Sequence, residues 1–106
     1  MDDPALSVAG TLTPMNIGLL TLEIFISDSQ SLKDKRTVVR SLKDRLRKFN
    51  VSVAECEHQN LWQRSTLGVV SVASDPRILE QTLNSVLRAS EEILERNLAN
   101  YQIEYL

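Results

Sequence analysis

The stretch Ser31 to Phe49, SLKDKRTVVRSLKDRLRKF, constrains the fold more than any other part of the chain. An α-helix turns about 100° per residue. On that wheel Leu32, Val38, Val39, Leu42, Leu46 and Phe49 fill one arc of about 120°. Lys33, Arg36, Arg40, Lys43 and Arg47 fill a separate arc of about 80°. The cations follow one another at steps of three or four, the spacing that stacks side chains on one helix face. A helix over about 32 to 48 therefore lays an apolar stripe on a core and turns a cationic stripe toward water or a polyanion.

The flanking segments are patterned differently. Residues 16 to 26, NIGLLTLEIFI, alternate as a strand does, with Leu20, Leu22, Ile24 and Ile26 on one side and Leu19, Thr21, Glu23 and Phe25 on the other. The polar turn SDSQS supplies serines and Asp28 as caps for the helix that follows. Residues 50 to 57 predict a second strand with Val51 and Val53 inward, and 65 to 74 a third, joined by the longish connection HQNLWQR. Asp75-Pro76 starts a second helix over about 76 to 98, with Ile78, Leu79, Leu83, Val86, Leu87, Ile93, Leu94 and Leu98 as its apolar stripe. YQIEYL closes the chain as a strand. Residues 1 to 14, with Pro4, Gly10 and Pro14, read as a flexible extension, and Met15 as a possible second start.

The order β-α-β-β-α-β predicts an α+β, ferredoxin-like domain over residues 15 to 106: a four-stranded antiparallel sheet with two helices on one face. Its outer face is expected to carry Leu19, Phe25, Ala54, Cys56, Val69 and Ala73. That surface is too apolar for water, so a homodimer through the open sheet face is expected.

Charge separates sharply along the chain. Residues 33 to 48 hold eight Lys/Arg against two acids, a net of +6, while the remainder holds four Arg against twelve acids, a net of −8. The positive field is confined to one helix within a chain of net charge −2. At 106 residues the length suits one domain with a single core. A single cysteine, Cys56, excludes an internal disulfide and fits a reducing compartment. Apolar runs fall well short of the roughly 18 residues of a membrane span, and the N-terminal acids Asp2 and Asp3 do not read as a signal peptide. The expected location is the cytoplasm.

The segment SLKDKR at 31 to 36, with VVRSLKDRLRKFNVSVAE, LWQR and LGVVSV in order after it, resembles the bacterial YlxP-like family, also called DUF503. The matching positions are Ser31, Leu32, Lys33, Lys35, Arg36, Arg40, Lys43, Glu55, Trp62, Gln63, Arg64 and Gly68. The resemblance spans about Met15 to Ile103 and leaves residues 1 to 14 outside. It implies a small ferredoxin-like cytoplasmic protein, often encoded beside transcription and translation factors and on that ground associated with RNA or ribosomes. It carries no established activity and no catalytic residues.

Catalytic chemistry has little to stand on. The sequence lacks a P-loop, GxGxxG, HExxH or GxSxG, and its three glycines cannot form a phosphate cradle. Cys56 has no activating partner motif, and Glu55 and Glu57, read as sharing a strand face, have no evident pocket to tune them. His58 stands alone among nearby carboxylates rather than in metal-ligand spacing. No enzyme, metal or cofactor is expected. Trp62 reads first as a lid on one end of the core, and second as a base or ligand contact. The third strand lacks the aromatics on which a recognition-motif domain stacks bases, so any RNA should bind the helix side. The expectation is a non-catalytic RNA- or ribosome-associated protein. Lys33, Arg36, Arg40, Lys43 and Arg47 would hold phosphates, assisted by Lys35, Arg64 and the helix N-terminus. The alternative is a self-associating structural or regulatory module that binds an acidic protein partner or small ligand.

Overall fold

The structure, a computed structural model, describes residues 15–106. The expected extension over 1–14 lies outside the described residues. Six elements follow in the order β1 (Asn16–Phe25), α1 (Leu32–Leu46), β2 (Ser52–Glu57), β3 (Arg64–Ala73), α2 (Pro76–Leu94) and β4 (Leu98–Tyr105), with a short 3-10 turn at Glu95–Asn97 before β4. The sheet order is β2-β3-β1-β4 with every pairing antiparallel. This is the α+β, ferredoxin-like arrangement that the sequence predicts.

The sheet's inner face and one stripe of each helix close a single core. Leu20, Leu22 and Ile24 from β1 and Leu67 and Val69 from β3 meet Val39, Leu42 and Leu46 of α1 and Leu79, Leu83, Val86 and Leu94 of α2. Ser31 Oγ accepts the Asp34 N–H at 3.0 Å, while the Asp34 carboxylate accepts the Gln30 N–H at 3.0 Å. These reciprocal bonds fix where α1 begins. Asp28 takes no part and pairs instead with Arg96 at 3.2 Å. Asp75 caps α2 through the Arg77 N–H, with Pro76 opening the helix.

Four expectations need correction. Val69 and Ala73 do not face outward. Val69 opposes Leu20 and Ala73 opposes Asn16, which puts both on the inner face. Their neighbours Val70 and Val72 point out instead, because a one-residue change of parity moves every side chain of a strand to the other side. Secondly, α2 stops at Leu94, where Glu95 adopts φ 53°, and Leu98 joins β4 opposite Ile24. A helical stripe and a strand face both accept a leucine at 98, and pairing with β1 decides between them. Ile78, in the first turn of α2, is exposed rather than buried.

Finally, β2 carries an irregularity between Glu55 and Glu57. Glu55 opposes Leu67 on the inner side, but Glu57 opposes Thr66, whose neighbours across β1 are outward. The two glutamates therefore do not share a face. Cys56 is the extra residue of this bulge, and Gly68 leaves it room: a Cβ there would come within 3.2 Å of its sulfur.

The parity of β3 has a direct test. Val69→Ala should cost about 2 kcal/mol in a urea denaturation of the monomer, from two lost methyl groups and a cavity. Val70→Ala should change it by less than about 0.5 kcal/mol.

Candidate nucleic-acid interface

Helix α1 places its charged residues in two quite different environments. Lys35 does not join the cationic face. It is 1% exposed, inside the core layer. Its ammonium donates to the carbonyl oxygens of His58 at 2.7 Å, Gln59 at 3.0 Å and Arg64 at 3.3 Å. The Glu55 carboxylate lies 3.2 Å away and also accepts the Ser65 hydroxyl at 2.5 Å. A buried charge is tolerated when its partners replace the lost water, and this one is fully surrounded by oxygen. Lys35 is therefore a structural residue, which corrects its expected role on phosphate. The helix wheel holds the signal that was missed. Lys35 falls between Leu42 and Leu46 within the apolar arc, and Glu55 follows the inward Val51 and Val53 at the two-residue period of a strand.

The same ammonium fastens the connection between β2 and β3. His58 takes φ 66°, a turn conformation, and its carbonyl also accepts the Leu61 N–H at 3.1 Å. At the far end the Gln63 carbonyl accepts the Ile26 N–H at 2.7 Å, and the Gln63 amide donates to the carbonyls of Ser27 and Ser29. Loop 58–63, the β1–α1 turn and the first turns of α1 are thus stitched into one unit. Trp62 sits between these fixed points yet is 56% exposed. It does not close the core, contrary to the first expectation. Phe25, Leu61 and Arg64 surround it in a shallow depression of about 370 Å³.

The cationic face remains on the side of α1 that overlooks edge strand β2. Arg36, Arg40 and Lys43 share a depression with Val39 and Glu55. Lys43 and Arg47 share the next one with Leu46, Val51 and Val53. Among the described residues, no carboxylate lies within 4.0 Å of the charged end of Lys33, Arg36, Arg40 or Lys43. Arg47 does have one, Asp44, at 3.0 Å on the exposed surface. The ridge therefore comprises Lys33, Arg36, Arg40 and Lys43, with Arg47 at its end in a weak, solvent-exposed pair. Arg64 is exposed beside Trp62 rather than on the ridge. The Ser31 cap takes the Asp34 N–H at the N-terminus of α1, and the Asp34 carboxylate in its first turn opposes an anion there.

The fold defines a small α+β domain with a one-sided helical layer, and a de novo designed protein, Foldit4, shares it. The match has a TM-score of 0.57 at 8% identity over 88% of this chain and 97% of that one. Residues 17–103 match the family described as protein of unknown function DUF503. The uncharacterized protein YlxP of Bacillus subtilis strain 168 is 40% identical over 72 residues, spanning 67% of this chain and 78% of that protein. The chain belongs to the DUF503 family. Among the described residues, no helix is long and apolar enough to cross a membrane.

Removing the Lys35 ammonium should be costly, because it strands Glu55 and three carbonyl groups together. Lys35→Met is expected to lose about 3–5 kcal/mol in urea denaturation. Amide hydrogen exchange should show loop 58–64 losing protection in that variant more than the core strands do.

Proposed function

We propose that this protein is a non-catalytic RNA- or ribosome-associated protein of the cytoplasm that grips phosphates with the exposed ridge of α1. The observation that carries this reading is the set Lys33, Arg36, Arg40 and Lys43, which follow one another along one helix face without a carboxylate in reach among the described residues. Glu55, the acid that borders the ridge, is engaged by Lys35 and Ser65. Guanidinium forks and ammonium points match phosphate oxygens, and several in line fit a polyanionic backbone better than one small anion. Arg47 adds a fifth contact once it leaves Asp44, and Arg64 lies within the same domain end as the first turns of α1. Contacts of this kind position a strand without reading its sequence.

Four phosphates engaged on single-stranded RNA give a log–log salt slope of about −3. Filter binding across a salt series should return that value, and an affinity indifferent to salt would remove the reading. Arg36→Glu with Arg40→Glu should abolish binding while stability shifts by less than about 0.5 kcal/mol, since both side chains are exposed.

A second reading has its own observation. Ile17, Val70 and Val72 stand exposed on the outer sheet face, and Ile17 directly opposes Val72. They border an apolar depression of about 340 Å³. We propose that a second copy of the chain covers this face. Sedimentation equilibrium at micromolar concentration should then show a dimer, and Val70→Asp should yield monomer. Monomer in the unmodified protein would reject the pairing.

A further inference from the structure

We propose that Trp62 is a stacking platform for an unpaired base of the same RNA strand whose phosphates lie on the α1 ridge. This inference rests on the phosphate-binding reading above and adds the ligand's form, a single strand, together with the residue that selects it.

Exposure is the first ground. A tryptophan serving the core hides its ring, whereas Trp62 leaves 56% of its surface in water and lies beside the 46% exposed Phe25. The second is rigidity. Trp62 follows Leu61, whose N–H is bound to the His58 carbonyl, and precedes Gln63, which is held by three bonds to the β1–α1 turn. Lys35 fixes the loop from beneath at 58, 59 and 64. An aromatic ring presented by a loop already ordered binds without the entropy cost of ordering it. Aromatic side chains on single-stranded binders use this arrangement, because every base offers a π-face.

Charge selects the occupant. The loop is clamped to α1 at Lys35, and the next residue along the helix is Arg36, the ridge's first arginine. Arg64, exposed in the same depression as Trp62, adds a cation that can meet a phosphate or stack on a base. Arg64 opposes Phe25 and shares its outward parity, so a strand leaving the ridge at Arg36 reaches Trp62 and Arg64 by turning around the end of the domain where loop 58–63 lies. The apolar outer-face residues Ile17 and Val72 lie at the other end of β1, about 27 Å from Phe25 at the strand rise of about 3.4 Å per residue. A second copy seated there need not cover Trp62.

Trp62 is the only tryptophan of the chain, so intrinsic fluorescence reports it alone. The test titrates the full chain, at low salt, with an oligouridylate of about ten nucleotides, within the range of known single-strand site sizes. A matched RNA duplex is titrated in parallel. Single-strand binding should quench the fluorescence and duplex binding should leave it unchanged. Trp62→Ala should weaken oligouridylate binding by about five- to 150-fold, the equivalent of roughly 1–3 kcal/mol for one stacked base. Its salt slope should stay as in the unmodified protein. Trp62→Phe should restore most of the affinity, which a merely structural role in the loop would not require.

Three results overturn the proposal. If oligouridylate binds through Arg36 and Arg40 but fluorescence and the Trp62→Ala affinity do not move, stacking is wrong and the phosphate reading stands. If the duplex quenches as strongly as the single strand, the ring does not select unpaired bases. If no RNA binds at all, both readings fall together, and a loss of self-association in Trp62→Ala would then assign the ring to a protein contact.

Discussion

One buried ammonium organises this molecule. Lys35 takes a positive charge out of water and replaces its hydration with three carbonyl oxygens and a carboxylate. Such a charge is tolerable only while all of its partners stay in place. The helix, the β2–β3 connection and the inner end of β2 must therefore hold one relative position. The exposed charges on α1 inherit that position. Because Glu55 is engaged by Lys35 and Ser65, it does not neutralise the ridge that passes above it, and Arg36, Arg40 and Lys43 have no carboxylate within 4.0 Å among the described residues.

The same pair shapes the sheet. β2 is an edge strand, and an open edge invites pairing with another chain. An inward-pointing charge and a bulge are two of the devices that discourage such pairing, and β2 has both, in Glu55 and in the irregularity at Cys56. The contact surfaces that we propose lie on the faces and one end of the domain rather than along that edge. One is cationic and belongs to the helical layer. Another is apolar and belongs to the outer sheet face. The third, around Trp62, lies at the end of the domain where Lys35 ties loop and helix together.

Much of the fold was legible in the sequence. Alternation in NIGLLTLEIFI and in the valines of β3, the three-and-four spacing of two helices, and the Asp75-Pro76 start determine the elements and their order. Those signals are local, and local backbone geometry answers them directly. What failed was parity and partnership. Val69 and Val70 are the same residue type at adjacent positions, so composition cannot say which faces in, and only the register with Leu19 and Leu20 decides. Counting by twos puts Glu57 on the face of Glu55, and the bulge breaks the count.

The sequence by itself determined the six elements, the ferredoxin-like order and the concentration of positive charge on one helix. Tertiary structure alone decided which of those charges reach water. Lys33 and Lys35 are chemically identical and two residues apart, yet one projects into solvent and the other is sealed beneath a loop. The separating cause is a carboxylate and three carbonyls contributed by residues 55 to 64, which sequence distance hides and folding brings within 3.3 Å. Trp62 follows the same logic: its ring stays outside on a loop tied down by hydrogen bonds at His58, Gln59, Gln63 and Arg64.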